Sequence, residues 1–248
     1  MLARLAMRLA TDEIDFRKSS VLQGVMFENI DSDYADLMHT QNYHPYSQYF
    51  IKRENEQNFW VVNALNNDAY KHIIQPLAAK KFCSFYVKKR NITVPIIEKK
   101  EVNIEERELL DEFYNKKAER FINLKFITPT AFKKDGSYYI LPSSRLIFNS
   151  LMGKYGSASS ELNMIDEETL NELASHTIVT SHRIKSVYFP MESIKISGFV
   201  GNVTLKISGN ETMIRYARML CRFGEFSGVG IKTAMGMGAI KIIEKGYN

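Results

Sequence analysis

The 248-residue chain is predicted to be an α+β protein, two βαββαβ units in tandem with a glycine-rich loop near the carboxyl end. Three observations predict it. Segments with strand and helix periodicity follow one another in the same order twice, and a charged stretch separates the two runs. Gly228, Gly230, Gly236 and Gly238 then form a G-x-G-x(5)-G-x-G pattern ahead of a short last strand. The order strand, helix, strand, strand, helix, strand is that of a ferredoxin-like (RRM-like) unit, and its first and last strands are expected at the sheet centre.

In the first unit, residues 2–9 read as a strand and 19–38 as one helix, on the spacing of Leu22, Val25, Met26, Leu37 and Met38. Residues 47–53 and 57–65 read as a strand pair, the second alternating through Phe59, Val61, Asn63 and Leu65. A helix over 68–80 and a strand over 82–88 complete the unit. The stretch 96–120 is dense in Lys and Glu without Pro or Gly, and reads as a partly helical linker. The second unit repeats the order with a strand over 121–128, a helix over 142–154, strands over 177–189 and 194–207, a helix over 211–223 and a strand over 238–244. A Gly/Ser-rich insertion falls near 153–163. The expected domains are therefore 1–118 and 119–248.

An apolar content of 45% with 25% charged residues suits a soluble globular chain. No apolar run approaches the roughly 20 residues that span a bilayer. Arg4 and Arg8 interrupt the opening segment, so it reads as a strand and not as an export signal. Cys83 and Cys221 have no ligand spacing and read as reduced core residues, which points to the cytoplasm. The Asn-x-Thr triplets at Asn91 and Asn202 then carry no meaning. The formal charge of +5 is uneven: residues 176–245 hold ten Lys/Arg against four acids, leaving the remainder near −1. Such clustering beside a glycine loop is the electrostatic footprint of a nucleic-acid binder.

The loop matches neither common nucleotide fingerprint. Lys232 follows Ile231, not glycine, which excludes a Walker loop, and here a helix precedes the loop and a strand follows it, the reverse of a dinucleotide site. Glycine-rich backbone can instead turn its N–H groups toward a nucleic-acid phosphate, with Lys232 and Thr233 at the centre. The plain alternative is a turn that merely lets helix and strand meet.

Two ferredoxin-like halves, FITPTAF (126–132), GVGIKTAMGMG (228–238) and LQGVMFENIDSDYADLMHTQNYHPYS (22–47) together resemble the CRISPR-associated repeat-RNA endoribonucleases of the RAMP superfamily. The resemblance spans nearly the whole chain. It implies a cofactor-free, metal-independent endonuclease that binds precursor CRISPR RNA, cuts once per repeat and leaves a 2′,3′-cyclic phosphate and a 5′-hydroxyl. Family members use a histidine after the first helix, matched by His39. A family lysine falls on His44 and a family tyrosine on Phe27, so a fixed charge becomes titratable and a phenol is lost.

RNA carries its own nucleophile in the 2′-OH. Cleavage needs a base for that proton, an acid for the departing 5′-oxygen and positive charge beside the phosphorus. Imidazoles suit this near neutral pH. His39 is read as base and His44 as acid or electrostatic stabiliser, with the roles exchangeable; the structural alternatives are a helix-end cation and a loop residue before Pro45. Lys52, Arg53 and the i, i+3, i+7 face of Arg215, Arg218 and Arg222 are read as RNA-binding, together with Gly228, Gly230, Lys232, Thr233, Gly236 and Gly238. Tyr43, Tyr46, Tyr49 and Phe50 read either as stacking or as packing groups, His72 as structural, and His176 and His182 as sites of RNA contact. The expected partners are CRISPR precursor and guide RNA, with CRISPR effector subunits or a second copy as further partners. The competing reading is a RAMP-type effector subunit that holds RNA without cutting it.

Overall fold

A computed structural model describes residues 1–15, 19–41, 43–52, 57–159, 166–191 and 194–244. Arg53, Lys245 and residues 160–163 of the Gly/Ser-rich insertion lie outside them.

Strand β1 (Leu2–Leu9) is the axis of the first unit. Ala3, Leu5, Met7 and Leu9 are buried on one face while Arg4, Ala6 and Arg8 point to the other. Antiparallel neighbours β3 (Asn58–Ala64) and β5 (Ile92–Ile104) flank it, with β2 (Tyr46–Lys52) outside β3 and β4 (Ser84–Val87) outside the start of β5. The buried face packs on α1 (Ser19–Phe27), α2 (Ser32–Thr40) and the helical run α3 (Asn67–Ala69), a π turn (Tyr70–Ile74) and α4 (Gln75–Ala78). Leu22, Met26, Met38, Trp60, Ile73, Ile74 and Leu77 form the centre of that core.

Two expectations for this unit change. The single helix over 19–38 is two helices, because Asp31 accepts the Tyr34 N–H at 3.0 Å and starts α2 afresh. That break sets the direction in which α2 delivers His39. The linker over 96–120 is mostly structured: its first part is β5, the fourth strand of the ferredoxin-like order, while 84–87 is an added edge strand. The second part is α5 (Glu106–Tyr114), started by a reciprocal capping box between Glu105 and Glu108.

In the second unit the order is β11 (Ile240–Ile242), β6 (Phe121–Thr130), β10 (Lys195–Ile207) and β9 (Thr177–Pro190). The first strand is central, but the last sits at the edge beside it, since a helix crossover returns the chain to the outside of β6. A short hairpin, β7 (Phe132–Lys134) and β8 (Ser137–Tyr139), turns on Asp135 and Gly136, both at positive φ. Helices α6 (Ser144–Ala158), α7 (Glu167–Ser175) and α8 (Glu211–Ser227) complete the unit. The sequence reading did not place α7, which Asp166 caps by accepting the Thr169 N–H at 2.6 Å.

The carboxyl end of α8 joins the units. Arg4 of β1 donates to Asn63 Oδ1 at 2.8 Å and to the Glu225 carbonyl, with its guanidinium 4.4 Å from the Phe226 ring centroid. Ser47 of β2 donates to the Phe226 carbonyl. Cationic and hydroxyl donors on these terminal carbonyls satisfy groups that a helix leaves unpaired and complement its dipole. The glycine loop, which starts where α8 ends, is thereby anchored on both sheets.

Candidate active site and RNA cleft

The loop leaves α8 at Gly228, whose φ is 67°, and its other pattern glycines Gly230, Gly236 and Gly238 also have positive φ. A Cβ on Gly230 would collide with the Ala131 carbonyl, and one on Gly238 with the Val229 carbonyl. Their amides are committed internally. Gly228 N–H donates to the Gly224 carbonyl at 2.9 Å, Gly230 to Ser150 Oγ at 2.8 Å and Gly238 to the Pro129 carbonyl at 3.0 Å. Among the pattern residues, Gly228, Gly236, Gly238 and Thr233 are buried and Lys232 is exposed. The expected phosphate cradle of glycine amides is thus corrected for Gly228, Gly230 and Gly238: glycine serves close packing, and Lys232 is the part of the loop that faces outward.

The loop nevertheless lies at the histidines. Gly236 abuts Ser19 at the start of α1, and Ala234 joins the core of the first unit. A cleft of about 610 Å³ is lined by His44, Lys232, Gln23, Lys133, Ser150 and Lys154. A second cleft, about 580 Å³, is lined by His39, Phe27, Tyr86, Met191 and again by Gln23; Met235 of the loop also lines both. His39 and His44 therefore stand on adjoining clefts that share walls.

His39, exposed in the last turn of α2, sets its ring edge-on to Phe27 with centroids 5.1 Å apart. The phenylalanine at the family tyrosine position is thus an apolar support for the histidine. His44 is half-buried, 5.5 Å from the ring of Tyr46, whose hydroxyl accepts from Gln23 Nε2 at 2.7 Å. Burial lowers the His44 pKa below 6.5, and the positive charges of His39 and Lys232 lower it further. His39, His44 and Lys232 share one electrostatic neighbourhood. Tyr46 and Phe50 are buried packing groups; Tyr43 is exposed and lies over α6, where a Cβ on Gly153 would be 2.8 Å from its hydroxyl.

The arginine row is paired with carboxylates. Arg218 is 8% exposed and donates to Glu112 and Glu119 at 3.2 Å and to both Glu244 oxygens at 2.9 Å. Arg222 bonds Glu225 at 3.1 Å and Glu244 at 2.7 Å, and Arg215 bonds Glu211 at 3.1 Å. The spacing did put them on one face of α8, but α5 and the end of β11 bring carboxylates to it. Lys52, exposed at the end of β2, is not among the residues lining either cleft. His72 stacks on Tyr34 at 4.5 Å, in keeping with a structural role.

Lys154 was not visible as a functional position in the sequence, where it is one lysine in an apolar helix. Its Nζ is buried, donates to the Gly228 carbonyl at 3.1 Å and reaches Ser227 O at 3.5 Å, and burial lowers its pKa from 10.5 to about 7. The unfolded chain therefore binds the extra proton between about pH 7 and 10.5, so stability from this group is fully present above that window and is lost as pH falls through 7. Chemical denaturation of the native protein and of Lys154→Met across this range should show the native protein gaining stability relative to the variant as pH rises. A constant difference would show that Lys154 stays charged throughout.

A family model described as CRISPR-associated endoribonuclease Cas6 matches residues 124–240. A Streptococcus thermophilus CRISPR-associated endoribonuclease Cas6 is 38% identical over 226 residues, which is 90% of either chain. One from Mycobacterium tuberculosis is 34% identical over 221 residues, 89% of this chain and 70% of its own. Among solved structures, a Cas6 product complex superposes with a TM-score of 0.80 at 22% identity, covering 98% of this chain and 99% of the other. A RAMP protein binding different RNA substrates superposes at 0.60 and 15% identity, covering 98% and 100%. No helix among the described residues is long and apolar enough to cross a membrane. With identity at this level along nine-tenths of its length, the chain belongs to the Cas6 family of CRISPR-associated endoribonucleases.

Proposed function

We propose that the chain matures guide RNA by cutting the repeats of CRISPR precursor transcripts through attack of a 2′-OH on the adjacent phosphate. The 2′-oxygen forms a bond to phosphorus, the bond to the 5′-oxygen breaks, and the products are a 2′,3′-cyclic phosphate and a 5′-hydroxyl. The observation that carries this reading is the convergence of His39, His44 and Lys232 on two contiguous clefts.

The electrostatics divide the work. His44 is biased toward its neutral form, so it takes the 2′-OH proton, and His39 returns a proton to the leaving oxygen. This exchanges the roles first assigned from the sequence. Lys232, exposed on a left-handed backbone position, supplies charge to the phosphate in place of the family lysine at 44. Lys133, on the wall of the same cleft, adds a second exposed cation for the RNA backbone.

The test is cleavage of an end-labelled cognate repeat in EDTA, with the upstream fragment carrying a cyclic phosphate that acid opens. For kcat/KM the acidic limb belongs to His44 in the free enzyme, and activity should disappear as pH falls through a value below 6.5. In kcat the limb should move upward, because a bound phosphate favours the imidazolium. Stable binding without product across cognate repeats would instead identify a non-cutting RNA-holding subunit.

A further inference from the structure

Beside His44, sharing Tyr43, His44 and Lys154 with the larger cleft, lies a small cavity of about 100 Å³. Tyr34 of α2, Asn66 and Asp68 at the start of α3, Lys154 of α6, and Tyr43 and His44 of the intervening loop line it. Two polar atoms of its lining residues, His44 Nδ1 and Tyr34 Oη, are buried without a hydrogen-bond partner among the described residues. A buried polar atom left unpaired costs free energy, and a polar cavity of this size has room for several waters. His44 lines both this cavity and the open cleft.

Building on the cleavage reading above, we propose that ordered water in this cavity accepts a hydrogen bond from His44 Nδ1–H and passes its own hydrogens to Tyr34 Oη and the Asp68 carboxylate, making Tyr34 and Asp68 positioning residues that present His44 Nε2 to the substrate. A base needs its lone pair on the nitrogen that faces the proton, and the partner of the other nitrogen fixes which one that is. Here the direct carboxylate partner of a triad is replaced by solvent held in place. Charged and titratable groups around the ring are His39, Lys232, Lys154, Asp68, Tyr34, Tyr43 and Tyr46. Burial and then the Asp68 charge push the Tyr34 hydroxyl upward, which keeps it protonated at any working pH. Asp68, whose side chain is largely exposed, also lies 3.7 Å from His72.

The experiment uses the full chain with ¹⁵N-labelled histidine and no RNA, reading the His44 tautomer from long-range proton–nitrogen correlations assigned with His44→Gln. The native protein should show the Nδ1–H form, and Tyr34→Phe and Asp68→Asn should each move the population toward Nε2–H. His176→Asn, at the end of α7 and outside the cavity lining, should leave it in place. Single-turnover cleavage by the two cavity variants should fall about tenfold at unchanged RNA affinity, a milder loss than a direct wrong-tautomer substitution gives. A native Nε2–H form, a tautomer unmoved in both cavity variants, or an equal shift in His176→Asn would overturn the proposal. Tyr34→Phe preserves shape and carries the test if Asp68→Asn fails to fold. Because the tautomer is read on the free protein, an absence of RNA cleavage by the native chain would remove the catalytic reading and leave this result standing separately.

Discussion

Substituting His39 with alanine is expected to slow single-turnover cleavage of a cognate repeat by about 10²- to 10⁴-fold, the range that a positioned proton-transfer group contributes. RNA affinity should stay within about twofold, because an exposed imidazole adds little to a phosphate contact area dominated by lysine and arginine. The fold should be intact, since the ring's packing is an edge contact with Phe27 on a helix that Asp31 caps. The pH profile separates the roles. If His39 delivers the proton, the alkaline limb of the rate disappears in His39→Ala while the acidic limb, set by His44, remains. If instead the acidic limb disappears, the two histidines exchange places. Unchanged cutting would take His39 out of the reaction.

Much of the fold could be read because its signals are local. The alternation along Leu2–Leu9 and the spacing within Glu211–Ser227 each declare an element without reference to anything else. The misreadings share a cause. Strand β5 is exposed on most positions, so EKKEVN carries no apolar alternation, and only pairing with Leu2–Leu9 makes it a strand. The division between α1 and α2 depends on the cap at Asp31, which an apolar count ignores. The arginine row illustrates the limit most sharply: periodicity identifies a shared face, whereas Glu112, Glu119 and Glu244, distant in sequence, decide that the face is covered. For the site, His39, His44 and Lys232 were legible as residue types suited to RNA chemistry. Lys154, Tyr34 and Asp68 were not, because their significance comes from burial and from a cavity that three separate helices enclose.

The glycine loop yields the second large effect, and two substitutions a few residues apart should separate its two functions. Gly238→Ala should destabilise the protein by about 2–4 kcal/mol, through a left-handed backbone that alanine resists and a methyl group driven into a neighbouring carbonyl. The position leaves no easy relief: φ is 74°, the obstructing oxygen belongs to Val229, and that carbonyl faces Gly238 within the loop's own turn, where Val229 N–H donates to the Gly238 carbonyl at 2.8 Å. Its loss of RNA cleavage should therefore track thermal unfolding and recover on cooling as far as the fold does. Lys232→Ala should behave oppositely, with a melting temperature close to native, weaker binding and a salt dependence reduced by about one phosphate contact. Lys232 already occupies a left-handed position, at a φ of 56°, so Lys232→Gly is the cleaner control for removing the charge without adding strain. A Gly238→Ala protein that melts like the native chain yet fails to bind RNA would return the glycines to direct phosphate contact, and a Lys232→Gly protein with undiminished affinity would leave the loop a purely structural turn.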